Sequence, residues 1–118
     1  MTALDFADGS LAGIVAFYSI VHFSTAELTV VFREMRPVLR PDAILLLSFH
    51  VGDEIIHVDD LFGAPVSLDF RFHHRAAVVG ALQSERFHVI EEVEREPYAS
   101  VEYLSRRCYL LARALDLR

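Results

Sequence analysis

Two almost uninterrupted apolar segments, residues 11–18 and 43–50, flank a stretch with helical periodicity, and this arrangement constrains the fold most strongly. Both segments are rich in apolar β-branched, aliphatic and aromatic residues, which is typical of strands buried on both faces of a parallel sheet. Gly13 interrupts the first segment and indicates a close backbone approach. Two such strands joined by a helix predict a right-handed parallel crossover.

The stretch between these strands is predicted to be an amphipathic helix that starts at a capping box. Ser24, followed by Glu27 three positions later, satisfies two free backbone N–H groups reciprocally. Apolar residues then recur at spacings of three and four, at Leu28, Val31, Phe32 and Met35. Pro37 and Pro41 predict the end of the helix, because proline clashes with a continuing helix and disfavours the α conformation of the residue before it.

The remaining segments are interpreted as a flap over residues 54–72, a short helix over residues 75–82 and strands over residues 87–96 and 107–114. Residues 97–100 fit a chain reversal, so the last two strands are predicted to be antiparallel. The chain is therefore predicted to be a single α/β domain with parallel strands and a terminal antiparallel pair.

Composition argues against several classes of partner. The 118 residues carry a formal net charge of −6, whereas a nucleic-acid surface needs clustered cations. The apolar runs are far shorter than the ~20 residues of a membrane-spanning helix, and the first residues do not resemble a signal peptide. We therefore expect a cytoplasmic domain without nucleic-acid or membrane partners. Cys108, the one cysteine, is expected to be buried and inert.

Three segments resemble the class I S-adenosylmethionine-dependent methyltransferases. Residues 4–23 resemble the region around the fourth strand of that family. Residues 36–41, with the sequence Arg-Pro-Val-Leu-Arg-Pro, resemble its helix-to-strand-five signature, and residues 108–113 resemble its last strand. The resemblance implies a partial Rossmann-like methyltransferase fold, with S-adenosylmethionine as the cofactor of the complete enzyme.

The same resemblance implies site residues. Met1 and Thr2 correspond to the loop that lies against the adenine, and Tyr18 and Ser19 to the strand end that contacts the methionine side of the cofactor. Ligands of open α/β sheets bind at this edge. His22 follows directly and is predicted to act as a general base toward the methyl acceptor. The alternatives are that Tyr18 is a core aromatic residue and that His22 only packs or caps the chain.

The glycine-rich loop of the family has no counterpart in this sequence. Its five glycines are never two positions apart, so no Gly-x-Gly loop brings backbone N–H groups against a cofactor. We therefore expect the C-terminal portion of a methyltransferase, inactive by itself and with weak or no cofactor binding. Asp42 and Arg86 stand where the family usually has glycine, although a positive φ is less comfortable for these residues.

Several residues have the chemistry of metal ligands. His57 and Asp59 would share one face of an extended segment, and His73 and His74 follow the flap. Their spacing is not diagnostic of a metal site, and a solvated surface is the simpler interpretation. We predict no metal.

The predicted function is methyl transfer to an unidentified small-molecule acceptor, with the flap shaping the acceptor pocket. The alternative is a non-catalytic domain that acts in self-association or protein binding. If no strand precedes residues 11–18, this strand is an apolar sheet edge that must be covered. We then expect a homodimer in which this strand pairs antiparallel with its copy.

Overall fold

The computed structural model describes residues 7–61, 63–98, 100–101 and 105–116. The side chains of Leu61, Val66 and Leu68 are outside the description. Along the chain the elements are β1 (Leu11–Phe17), a single 3-10 turn (Ser19–His22), α1 (Thr25–Val38), β2 (Leu39–His50), β3 (Ile55–Leu61), β4 (Ala64–Arg71), α2 (Arg75–Ser84), β5 (Phe87–Arg95) and β6 (Arg107–Ala114).

The main sheet has four strands in the order β1-β2-β6-β5. Strand β1 is parallel to β2, and α1 connects them, so the predicted crossover is confirmed. Strand β6 is antiparallel to both β2 and β5. This confirms the α/β class with a terminal antiparallel pair. Strands β3 and β4 form a separate two-stranded antiparallel hairpin, which lies where the flap was predicted.

Both helices cover the same face of the sheet. Alternate residues of β2, Leu45, Leu47 and Phe49, are at most 1% exposed and belong to one core cluster with Phe32 of α1 and Leu82 of α2. Because side chains alternate between the two faces of a strand, the residues between them lie on the opposite face. None of the described helices has the length and apolar character needed to span a bilayer.

The boundary between α1 and β2 differs from the prediction. Pro37 lies inside the last turn of α1 instead of ending the helix at Met35, and β2 begins at Leu39 instead of Ala43. The helix ends one residue after Pro37, at Val38, and the Leu39 N–H bonds to the carbonyl of Arg36, which closes the last turn. The prediction ended the helix too early because it treated proline as a strict stop.

Two departures from the glycine pattern coincide with unusual backbone. Asp42 has φ 67° and Arg86 has φ 70°, so both adopt the left-handed conformation for which glycine is better suited. Gly13 also behaves as expected. A Cβ atom built on Gly13 would lie 3.0 Å from the carbonyl oxygen of Ile44 on β2, which confirms the close backbone approach within the first strand.

Candidate functional site

The candidate site lies at the carboxyl end of β1, where the chain leaves the sheet through Tyr18. The Tyr18 N–H donates to the carbonyl of Ser48 on β2 at 2.9 Å, which holds the turn against the neighbouring strand. Tyr18 itself has φ 53°, a left-handed conformation that is rare for an aromatic residue. Such strained backbone persists only where the surroundings enforce it, and it concentrates at functional sites.

An aromatic stack joins this turn to the flap hairpin. The Tyr18 ring lies on the His50 imidazole, with centroids 4.9 Å apart and an interplanar angle of 29°. The other side of His50 stacks on Phe72, with centroids 5.1 Å apart. Tyr18 follows β1, His50 ends β2 and Phe72 follows β4. The stack therefore connects three segments that are distant in sequence.

The hydrogen bonds of His50 indicate its tautomer. Its Nδ1 lies 2.6 Å from the Oγ of Ser105 and 3.3 Å from a guanidinium nitrogen of Arg107. Arginine is only a donor, so Nδ1 accepts, and the proton of a neutral His50 is carried by Nε2. The Arg107 guanidinium also lies 5.5 Å from the centre of the Tyr18 ring. Tyr18, His50 and Arg107 together form a cluster of aromatic and cationic side chains beside the turn.

A contact between two tyrosine hydroxyl groups extends this cluster. The hydroxyl groups of Tyr18 and Tyr109 are 3.1 Å apart, and Arg95 donates to the Tyr109 hydroxyl at 2.9 Å. Burial, followed by the hydrogen bond to Tyr109, raises the pKa of Tyr18. Both causes favour the neutral phenol of Tyr18, so at neutral pH its hydroxyl can donate or accept a hydrogen bond.

The remaining predicted site residues occupy different places. The Oγ of Ser19 is buried and has no hydrogen-bond partner within the described part of the chain. His22 is exposed and contacts the hairpin rather than Tyr18: its Nδ1 lies 3.3 Å from the carbonyl oxygen of Asp69, and its ring lies 5.1 Å from the Phe70 ring. Met1 and Thr2 lie outside the described residues.

A pocket of about 170 Å³ opens at the base of the hairpin. It is lined by Thr25 at the start of α1, Asp53 after β2, Arg71 at the end of β4, and both His73 and His74 before α2. The His73 side chain is almost fully buried, and its Nε2 donates to the Ile20 carbonyl at 3.0 Å. Burial lowers the pKa of His73, so this residue is a neutral structural link between the hairpin and the 3-10 turn.

The possible metal ligands are engaged within the hairpin region instead. His57 bonds through Nδ1 to Asp69 and through Nε2 to Asp59, both at 2.7 Å. His74 bonds to Asp53 through Nε2. Among the residues that the structure describes, no cluster of three or more His, Cys, Asp or Glu side chains could hold a metal ion. Cys108 is buried in the core, and burial raises the pKa of its thiol to about 12.

Sequence reasoning missed His50, Ser105, Arg107 and Tyr109. His50 carried a usable signal, because it ends a predicted buried strand at the edge where α/β sheets bind ligands. The other three carried none. Their proximity depends on the antiparallel register that sets His50 opposite Arg107 and Ser48 opposite Tyr109, and the sequence does not show which strands are neighbours.

Comparisons with known proteins rest on structure alone. No protein-family model matches the sequence, and no curated protein matches it. An S-adenosylmethionine-dependent methyltransferase from Methanosarcina mazei matches 97% of this chain and 64% of its own length, with a TM-score of 0.80 and 16% identity. The 1,6-didemethyltoxoflavin-N1-methyltransferase of Burkholderia thailandensis, solved with 1,6-didemethyltoxoflavin and S-adenosylhomocysteine, matches 98% of this chain and 48% of its own, with a TM-score of 0.72 and 14% identity.

The cyclase SpnF matches 97% of this chain and 54% of its own length, with a TM-score of 0.66 and 16% identity. The chain thus spans between 48% and 64% of the length of these three proteins. Since one of them is a cyclase, the shared architecture does not by itself specify a reaction. The chain has a class I methyltransferase-like fold.

Proposed function

We propose that this chain supplies the acceptor-side part of an S-adenosylmethionine-dependent methyl transfer to a small molecule. The observation that carries the proposal is the cluster of polar and aromatic groups around Tyr18, Ser19 and His50 at the carboxyl end of two parallel strands, beside a hairpin. Open α/β sheets bind their ligands at this edge. The likeness to the Burkholderia enzyme, solved with bound 1,6-didemethyltoxoflavin, supports a small-molecule acceptor.

The residues at the turn fit a cofactor. A buried hydroxyl without a partner is unfavourable unless a ligand or water completes it, and the Ser19 Oγ is such a group among the described residues. Tyr18 and Ser19 would hold the methionine side of S-adenosylmethionine, and Met1 and Thr2 would contact its adenine. The bound cofactor would supply an electrophilic methyl group. The main contribution of the chain is then to align the acceptor and to exclude water.

His22 is suited to remove a proton from the acceptor. A carbonyl oxygen only accepts, so the Nδ1 of His22 donates to Asp69 and, in the neutral ring, leaves Nε2 unprotonated. The contact with Phe70 orients the imidazole against the hairpin. Positioned general bases contribute typically 10²–10⁴-fold. A His22→Asn substitution in the assembled enzyme should therefore lower kcat far more than acceptor binding.

The chain by itself should bind the cofactor only weakly, since none of its glycines forms the Gly-x-Gly pattern that brings backbone N–H groups to a ligand. Titration with S-adenosylhomocysteine, followed by two-dimensional NMR and by calorimetry, tests both expectations. We expect a dissociation constant on the order of millimolar and shifted resonances at Tyr18 and Ser19, with His88 as an exposed control. Micromolar affinity would contradict the weak-binding expectation, and unchanged turn resonances would contradict the proposed site.

A non-catalytic role in self-association or protein binding is the second candidate function. The observation that favours it is the sheet face opposite the helices, where Val15 is 66% exposed, Phe17 53% and Val93 46%. Val15 and Phe17 lie on one edge strand and Val93 on the other, and exposed apolar residues on one sheet face are typical of interaction sites when they form a patch. If S-adenosylhomocysteine leaves the resonances of Tyr18 and Ser19 unchanged and the chain associates through this face, the result would favour the second function over methyl transfer.

A further inference from the structure

The pocket at the base of the hairpin is bordered by the N-termini of both helices. Thr25 is the first residue of α1, His74 is the N-cap of α2 and Ala77 lies in its first turn. The two helix starts differ in their capping. Ser24 and Glu27 form a capping box on α1, whereas α2 has no side-chain cap hydrogen bond and no acidic residue in its first turn. The first-turn N–H groups of α2 therefore lack both a partner within their own helix and a side-chain cap.

Arg71 brings a positive charge to the same pocket. Its side chain is partly buried, and it forms no hydrogen bond or ion pair with any residue that the structure describes. Burial and, to a smaller extent, the charge of Arg71 lower the pKa of His73, so the guanidinium lies near that imidazole. The one carboxylate in the pocket lining, that of Asp53, bonds to His74 instead. Arg71 and the start of α2 thus offer positive charge and N–H donors to an anionic group.

His73 adds a hydrogen-bond acceptor to the pocket. The residue is 2% exposed, and its buried Nδ1 has no hydrogen-bond partner in the described part of the chain. Because Nε2 carries the proton that is donated to Ile20, the Nδ1 of the neutral ring is unprotonated and can only accept. A buried polar atom without a partner is unfavourable unless a ligand or water completes it. Since His73 lines the pocket, a ligand bound there can supply the missing donor.

We propose that this pocket binds a small carboxylate that carries a hydroxyl or amino group on the adjacent carbon. The carboxylate accepts hydrogen bonds from the first turn of α2 and pairs with Arg71, and the hydroxyl or amino group donates to the Nδ1 of His73. A simple anion would leave His73 without a donor, and a simple alcohol would leave Arg71 unpaired. The volume of about 170 Å³ is below the ~300–1,000 Å³ of pockets for drug-sized ligands, which suits a molecule of few heavy atoms. This inference is independent of the proposed methyl transfer, because it involves neither Tyr18 nor Ser19.

NMR titrations with glycolate, glycine and acetate at constant ionic strength test the proposal. Glycolate carries the hydroxyl group and glycine the amino group, whereas acetate has neither and is the matched control ligand. We expect glycolate or glycine to shift the amide resonances of Ala76 and Ala77 and the Nδ1 nitrogen resonance of His73, with an affinity on the order of tenfold above that of acetate. The tighter of the two identifies the donor as hydroxyl or amino. The absence of saturable shifts, or equal binding of acetate, overturns the proposal.

A substitution of Arg71 tests the charged part of the site. Arg71→Gln keeps a polar side chain but removes the charge, so it should weaken binding of the tighter ligand on the order of tenfold. Arg33→Gln is the matched control, because Arg33 pairs with Glu85 on the surface and does not line the pocket; its affinity should equal that of the wild type. Circular dichroism verifies that both variants are folded. Undiminished binding by folded Arg71→Gln, or an equal loss in Arg33→Gln, overturns the proposed site.

Discussion

The Tyr18 ring stacks on the His50 imidazole, with ring centroids 4.9 Å apart. This contact holds the turn after β1 against the end of β2. The second stack, of His50 on Phe72, ties the base of the hairpin to the same imidazole. His50 therefore contributes to the position of the flap, together with the contacts of His22 and His73 between the hairpin and the 3-10 turn.

Replacing His50 by alanine should lower the free energy of unfolding by about 1–3 kcal/mol, because two aromatic contacts of roughly 0.5–1.5 kcal/mol each are lost. Urea denaturation measures the change. His88→Ala is the matched control, since His88 is exposed on β5, and its effect should stay within about 0.5 kcal/mol. Equal losses in the two variants would show that the stack contributes nothing to stability.

Local sequence patterns predicted most of the fold. Strand β6 has the predicted bounds, and α2 begins at the predicted Arg75, because each is an apolar or amphipathic run bounded by polar residues. The arrangement of the site was less predictable. Tyr18 and Ser19 were predicted as site residues from their position at the end of the first strand, and this stays a prediction. The contact of Arg107 with His50 joins residues that are 57 positions apart in sequence. Such a contact requires knowledge of strand order and register.

The Arg-Pro signature of residues 36–41 has a structural explanation in Arg36. This side chain is 3% exposed, donates to the Leu39 carbonyl at 2.9 Å and also donates to the Leu115 carbonyl. It thus joins the end of α1 to the start of β2 and to the chain after β6. The sequence showed the signature, but the sharing of Arg36 between two carbonyls depends on tertiary structure.

Arg36→Met should lower the free energy of unfolding by about 2–4 kcal/mol, since hydrogen bonds to a charged donor contribute about 1.5–3 kcal/mol and two carbonyls lose their partner. Arg33→Met is the matched control on the same helix. Arg33 pairs with Glu85 at 2.9 Å, but its side chain is 65% exposed, and such pairs contribute only about 0–1 kcal/mol. Chemical denaturation of both variants should rank Arg36 well above Arg33; the reverse order would contradict this assignment.

Substitution by alanine should have opposite effects on stability at Gly13 and at Gly80. In Gly13→Ala the new methyl group would lie 3.0 Å from the Ile44 carbonyl oxygen, and such overpacking typically destabilises by about 1–3 kcal/mol. Gly80 lies in α2, and a Cβ atom there would meet nothing within 4 Å. Gly80→Ala should therefore stabilise by about 0.5–1 kcal/mol. Thermal unfolding distinguishes the two signs, and a destabilising Gly80→Ala would refute the expectation for the helix.

The hairpin should weaken as the pH rises, because of His57. Its imidazole lies between Asp69 of β4 and Asp59 of β3, and the hydrogen bonds to Asp69 and then Asp59 raise the pKa of His57. A folded-state pKa above the unfolded value of about 6.5 means that the folded hairpin holds the proton more tightly. The stabilisation is complete below about pH 6.5 and is lost as the pH rises through the higher folded-state pKa.

Hydrogen exchange of the β3 and β4 amides, corrected for intrinsic rates, measures this dependence. Protection should fall with rising pH in the wild type, and the fall should be absent in His57→Gln, which keeps a hydrogen-bonding side chain but does not titrate. His88→Gln on β5 should leave the profile unchanged. An NMR titration in which the His57 imidazole loses its proton at or below the usual histidine pKa would contradict the prediction, because its two carboxylate partners would then exert no net effect.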